Sequence, residues 1–219
     1  MRIISRKPAG PIQKTSADQN SIPEADLPLT IEGKKEMLAP FLDKNADMVQ
    51  RSFVVGAKAK IMARAIYLNQ IVDADVFNLH VLEPLMEYDG PGDEAVVSNL
   101  IGLISVSSLR VGQVQVQKAG NLKEVVHHIF DGLVVILLDG CPEVIVVDIH
   151  GGEYRTVDEP PGERTARGPR EGFIESLDVN IAMIRRRLCD PKLVVKKTKI
   201  GRRTRTPVAY LYIEDIASP

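Results

Sequence analysis

"RTARGPREGFIESLDVNIAMIRRRL", Arg164 to Leu188, decides how the chain is divided. Its front is irregular, with Gly168, Pro169 and Gly172 inside five residues. Such a run bends the chain rather than continuing an element. Its back is the clearest helix pattern in the sequence, expected from Gly172 to about Leu188. Phe173, Leu177, Ile181, Ile184 and Leu188 recur at steps of four, four, three and four, which makes one apolar stripe. Arg185, Arg186 and Arg187 fall in the last turn, where cations complement the negative end of the helix dipole. The stretch leading into the bend, "HGGEYRTVDEPPGERTARGPR", is a loop by composition, so a lobe boundary belongs there.

Downstream of the helix, "KLVVKKTKI" and "TRTPVAYLYI" read as two strands turned at Gly201-Arg202-Arg203. The second places Val208, Tyr210 and Tyr212 on one face and Ala209, Leu211 and Ile213 on the other, so both faces need cover. One helix and one hairpin cannot hold themselves together, because isolated hairpins are marginal at best. Either this part packs tightly on the first lobe, or the lobe is incomplete; the second reading is preferred.

Upstream of the bend, residues 1–32 read as a flexible tail rich in Pro, Ser, Gln and Asn. A helix is expected in "GKKEMLAPFLDKN", with Pro40 as a possible break. Two short strands around Gly56 follow in "DMVQRSFVVGAKAKIMARAIYL". "DADVFNLHVLEPLMEY" is a helix that should not pass Pro84, and "DEAVVSNLIGLI" is another. "RVGQVQVQ" partly alternates as a strand, and "NLKEVVHHIFDG" is a helix capped by Asn121 and stopped by Gly132. "LVVILLDGCPEVIVVDI" is a hairpin joined at Asp139-Gly140. No regular βαβ repeat with a glycine fingerprint occurs. The fold class is therefore α+β, two small lobes with mixed or antiparallel sheets flanked by helices. The divisions are tail 1–32, first lobe 33–150, linker 151–167 and the start of a second, truncated lobe 168–219.

The net charge of the 219 residues is −1, which conceals an asymmetry. Arg164 to Arg205 holds thirteen Lys and Arg against four Asp and Glu, a net +9, leaving −10 for the rest. Such a split points to an interaction face. Cys141 and Cys189 stand alone, which suggests neither a disulfide framework nor a zinc site. No signal peptide is visible, and no window offers the ~20 uninterrupted apolar residues of a bilayer-spanning helix.

Residue patterns for catalysis are weak. His127-His128 lie mid-helix, one facing in and one out, without a third ligand at usable spacing. His150-Gly151-Gly152 has no G-x-S-x-G elbow to serve, and the acids Asp158 and Glu159 sit in a Pro-rich loop. No catalytic residue, metal site or cofactor is assigned, and the chain is not expected to be an enzyme. The basic hairpin, Lys196, Lys197, Lys199, Arg202, Arg203 and Arg205, could hold phosphates, but no base-stacking aromatics are interleaved with the charges. Of the bend, Arg170-Glu171 sits where backbone and side chains can clamp another segment, which favours a structural clamp over an anion pocket.

These residues together resemble the A subunit of the GerA family of bacterial spore germinant receptors. The family pattern runs R-G-P-R-E-G-F-T-E, then T-N-I and L-I-R-R-R on a helix, then G-x-x-T-K-T and Y-I-x-x-I-A. Arg167, Gly168, Pro169, Arg170, Glu171, Gly172, Phe173 and Glu175 fit the first part. Asn180, Ile181, Ile184, Arg185, Arg186 and Arg187 fit the second; Gly201, Thr204, Thr206, Tyr212, Ile213, Ile216 and Ala217 fit the third. Ile174 and Val179 replace the usual threonines. The likeness spans about residues 33–219 and is most specific in the R-G-P-R-E-G-F run.

The resemblance implies the soluble N-terminal region of a receptor A subunit, on the cytosolic face of the spore inner membrane, in a shortened form. Its implied partners are a transporter-like B subunit, a C lipoprotein and further copies of itself, with the membrane reached through a missing C-terminal region. Its implied role is in receptor assembly and nutrient-triggered germination signalling. No nucleic acid is expected. The alternatives are a nucleic-acid-binding module built on the basic hairpin, and a nutrient-binding protein with its ligand between the lobes.

Overall fold

The computed structural model describes residues 22–92, 95–108, 115–149 and 172–217. Its first part is a sheet of five strands: β1 (Met48–Val55), β2 (Ile61–Leu68), β3 (Gln115–Ala119), β4 (Val134–Leu138) and β5 (Val144–Asp148). Their order across the sheet is β1-β2-β4-β5-β3, and every neighbouring pair is antiparallel. The α+β expectation holds.

Side-chain alternation assigns the two faces. Ala63, Ala65 and Tyr67 of β2, with Val134, Ile136, Leu138, Ile145 and Val147, point into one apolar cluster. That face is covered by α2 (Ala74–Phe77), a π-helical turn (Asn78–Leu82), α3 (Glu83–Met86) and α4 (Val96–Ser108). Ile66, Val135, Leu137, Val144 and Val146 point the other way, under α1 (Ile31–Leu42) and α5 (Leu122–Phe130). Strands β4 and β5 are thus buried on both faces, which explains their uninterrupted Val, Ile and Leu runs.

The β1–β2 turn docks by backbone. Gly56 N donates to Leu85 O at 3.0 Å, at a φ of +70°. A Cβ there would lie 2.7 Å from the carbonyl oxygen of Tyr88, so both the conformation and the space demand glycine.

Pro40 is a possible break and Pro84 an expected stop, and neither ends its helical path. α1 runs past Pro40 to Leu42; the carbonyl that loses its partner is that of Glu36, an exposed residue. The helical path from Ala74 runs through Pro84 to Met86. There the orphaned carbonyl belongs to His80, and Ser107 Oγ donates to it at 2.7 Å. His80 Nδ1 in turn lies 3.1 Å from the Ser107 carbonyl, to which it can only donate. A π-helical turn at the same place absorbs the proline's bulk.

α5 matches its expectation in caps as well as in type. Asn121 Oδ1 accepts from Glu124 N at 2.9 Å, and Gly132 takes a φ of +91°. Of the two histidines, neither faces in: His127 is exposed and His128 half-buried. The expected tail extends to residue 32, yet the chain is engaged from Ile22. Ala25 O accepts from Leu122 N at 2.8 Å, Leu27 is buried, and Lys123 pairs with Glu24 at 2.6 Å.

Lys34 is fully buried in α1. Its Nζ donates to the carbonyls of Leu138 and Cys141, each at 2.6 Å, and of Leu29 at 3.2 Å. It thereby fixes the β4–β5 turn, whose Asp139 Oδ1 accepts from Ile31 N at 2.8 Å. Burial pushes the ammonium below the ordinary lysine range, against the opposing influence of Cys141 and Asp139.

The second part is α6 (Leu177–Arg187) and a hairpin of β6 (Leu193–Ile200) with β7 (Thr206–Ile213). It is seated on the first part: Ala182 of α6 packs with Leu68 and Ile71 at the end of β2. The expected linker 151–167 lies outside the described residues.

Candidate functional site

The residues singled out by the sequence meet the rest of the fold around α6. The helix starts at Leu177, five residues later than expected. Gly172–Ser176 remains non-helical and exposed. The latch is Asn180: its Oδ1 accepts from Ile174 N at 2.8 Å and its Nδ2 donates to Ile174 O at 2.7 Å. A side-chain amide that satisfies both backbone groups of one residue holds that residue as another strand would. Ile174, which stands where the family pattern has threonine, contributes backbone to this contact.

Arg185 is the centre of the site, and it does not serve as an exposed complement to the helix dipole. It is 1% exposed. Its Nε donates to Asp47 Oδ2 at 2.8 Å, and one terminal nitrogen donates to Asp47 Oδ1 at 3.2 Å. That same nitrogen reaches Asn45 Oδ1 at 2.7 Å, and the other reaches the Leu193 carbonyl at 2.8 Å. The guanidinium carbon sits 5.2 Å from the centre of the Phe130 ring. Asn45 extends the node, accepting from Val195 N at 3.0 Å and donating to Phe41 O at 2.9 Å. Ala46 N donates to Val195 O at 2.9 Å, and Asn69 N donates to Asp47 O at 2.9 Å.

One guanidinium thus joins α6, the α1–β1 corner, α5 and the base of β6. A buried ion pair needs such extra donors and acceptors to offset its desolvation. Sequence reasoning missed Asn45 and Asp47. In "KNADM" they look like ordinary turn residues between a helix and a strand, and nothing local marks them as partners of an arginine so far away.

The other singled-out residues separate. Arg186 donates to Gln70 O at 3.1 Å, a second tie to the first part. Arg187 lines a surface hollow of about 320 Å³ with Phe173, Met183 and Ile184. Phe173 is 70% exposed, and Glu175 and Gly172 are exposed. Of the expected apolar stripe, only Ile181 is buried; Leu177, Ile184 and Leu188 are half-covered. Arg167, Gly168, Pro169, Arg170 and Glu171 lie outside the described residues. A second hollow, lined by Val54, Gly56, Ala57, Lys60, Met62 and Met86, lies at the end of the β1–β2 hairpin. Neither hollow gathers the convergent polar groups of a small-molecule site. Among the described residues, no group of three His, Cys, Asp or Glu is placed to hold a metal. No described helix is long and apolar enough to cross a membrane.

Arg185, being internal, shares no surface with the basic hairpin. Lys197 pairs with Asp178 and Lys192 with Asp215, each at 2.6 Å. Lys199, Arg202, Arg203 and Arg205, at the far end, form no ion pair among the described residues.

Known proteins resemble this chain. The Bacillus/Clostridium GerA spore germination protein family matches residues 36–219. Stage V sporulation protein AF of Bacillus subtilis (strain 168) is 32% identical over 180 residues, 80% of this chain and 35% of that protein. Spore germination protein KA of the same organism is 32% identical over 186 residues, 84% of this chain and 32% of that protein. The chain spans about a third of the length of these relatives. The crystal structure of the N-terminal domain of the A subunit of the Bacillus megaterium spore germinant receptor GerK3 shares the fold. Its TM-score is 0.69 over 90% of this chain and 69% of that one, at 24% identity.

Proposed function

We propose a role that starts from one fact: the chain belongs to the GerA family of spore germination proteins. In this role it is the N-terminal region of a germinant receptor A subunit, on the cytosolic side of the spore inner membrane. It acts through contacts with a transporter-like B subunit, a C lipoprotein and further copies of itself, in receptor assembly and in passing on the nutrient signal. No catalytic step is assigned to it.

The observation that supports this reading is the Arg185 node. A shift imposed by a partner on α6 or the β6–β7 arm has a short polar route, through Asp47 and Asn45, into the corner that carries β1. Such a junction has discrete arrangements, paired or broken, and suits a part that relays contacts. The run Arg167–Gly172 precedes in sequence the segment latched by Asn180, so Arg170 and Glu171 are assigned the approach to α6.

The test is made in spores carrying Arg170→Ala or Arg185→Met in the full-length receptor. Nutrient-triggered loss of optical density and the receptor level by immunoblot are measured together. Impaired germination or a reduced receptor level is expected from each. Wild-type germination and wild-type levels from both would overturn the reading.

A further inference from the structure

The β6–β7 arm has a base and a tip of opposite character. At the base, Leu193, Val194 and Val195 are buried. Acids there are neutralised: Glu214 pairs with Lys44 at 2.7 Å, Asp215 with Lys192 and Asp178 with Lys197. Exposure then grows outward until Thr198–Pro207 is exposed throughout. At about 3.3 Å per residue, the last five residues of β6 carry the tip roughly 16 Å beyond the buried base.

From Leu193 to Ile213 there are six Lys and Arg and no Asp or Glu. Four of these cations, Lys199, Arg202, Arg203 and Arg205, surround the tip, and amid them Ile200 stands 58% exposed. The turn is preformed: Arg205 N donates to Gly201 O at 3.2 Å, and Gly201 adopts a φ of +90°. A Cβ at Gly201 would meet Thr204 Oγ1. A turn that presents one exposed branched apolar side chain among neighbouring cations suits a partner with a negative surface and an apolar layer just beneath it.

We propose that the tip of the β6–β7 hairpin, Lys199 to Arg205, docks on an anionic phospholipid surface. The Lys and Arg side chains sit at the phosphates while Ile200 enters the headgroup–acyl boundary. With the arm carrying +6 and the whole chain −1, the rest of the chain carries a net −7, so the same surface repels the body and attracts the arm. Charge alone therefore orients the molecule tip first. Nucleic acid is disfavoured, because Tyr210 and Tyr212 stack on each other at 6.4 Å rather than flank the tip cations. This inference rests on the arm's own charge and exposure and stands apart from the role proposed above.

The test is sedimentation of the full 219-residue chain with vesicles of phosphatidylcholine alone or mixed with phosphatidylglycerol. Binding to the mixed vesicles only is expected, and it should vanish as salt shortens the Debye length from about 30 Å to about 3 Å. Each tip cation contributes about a fivefold change in partition, so Lys199→Gln/Arg202→Gln/Arg203→Gln should bind on the order of a hundredfold more weakly. The chain contains no Trp, so Ile200→Trp places a lone reporter at the tip. Its emission should shift to shorter wavelength with the anionic vesicles, and this readout decides the matter if the triple variant fails to fold. Unchanged binding by a folded triple variant, no preference for the anionic lipid, or an unshifted Trp in bound protein would each overturn the proposal. So would tighter binding to duplex DNA than to vesicles at the same salt.

Discussion

Strands β4 and β7 are both rich in large apolar residues, yet all five residues of β4 are completely buried while none in β7 is. β4 lies between β2 and β5 with helices on both faces. β7 has one neighbour, and Leu211 and Ile213 are half-covered. The first region is held by apolar area, which is non-directional and spread over many residues. The second is held at its root by a few directed contacts, three of them made by Arg185 to Asp47 and Asn45.

The sharpest way to break that contrast is Asp47→Ala. It leaves the Arg185 guanidinium buried without its anion, and a cost of about 3–5 kcal/mol is expected in urea unfolding. Asp47→Ala/Arg185→Met should recover much of the loss, since an apolar pair of similar bulk needs no partner. A cost as small as that of a surface substitution would show that the arm is held by something else. Ile136→Ala in β4 should follow, at about 2–5 kcal/mol, whereas Leu211→Ala in β7 should fall below that range. Equal values would erase the distinction between the regions.

Lys34→Met probes the first region through pH. Burial holds the ammonium below the ordinary lysine range. Between that lowered value and about 10.4 the unfolded chain binds the extra proton, so this group makes stability rise with pH across the window. Thermal melts at increasing alkalinity should therefore favour the wild type progressively over Lys34→Met. The smallest effect is expected from Asn180→Ala, about 1 kcal/mol, seen as faster hydrogen exchange at the Ile174 amide with little change at β4.

How much of this could be read from sequence depends on the distance between cause and effect. α5 was legible because Asn121 and Gly132 flank it directly, and the hairpins because Gly56, Gly140 and Gly201 mark their turns. Pro84 misled because the group that relieves its carbonyl, Ser107, is 27 residues from His80. Arg185 misled for the same reason on a larger scale: a C-terminal arginine suits either solvent or core, and Asp47, 138 residues away, settles which. The start of α6 was hidden by Phe173, which continues the apolar stripe in sequence yet stands 70% exposed. The strand order is likewise non-local, since no residue of β3 says that two later strands will lie between it and β2.

That order has a consequence for synthesis. β1, β2 and β3 leave the ribosome first, but β2 and β3 touch only through β4 and β5, which come later. Until Asp148 has emerged, the nascent chain holds a gap two strands wide between β2 and β3. In a series of stalled chains of increasing length, protease resistance should therefore appear in one jump after β5 clears the exit tunnel, rather than accrue strand by strand.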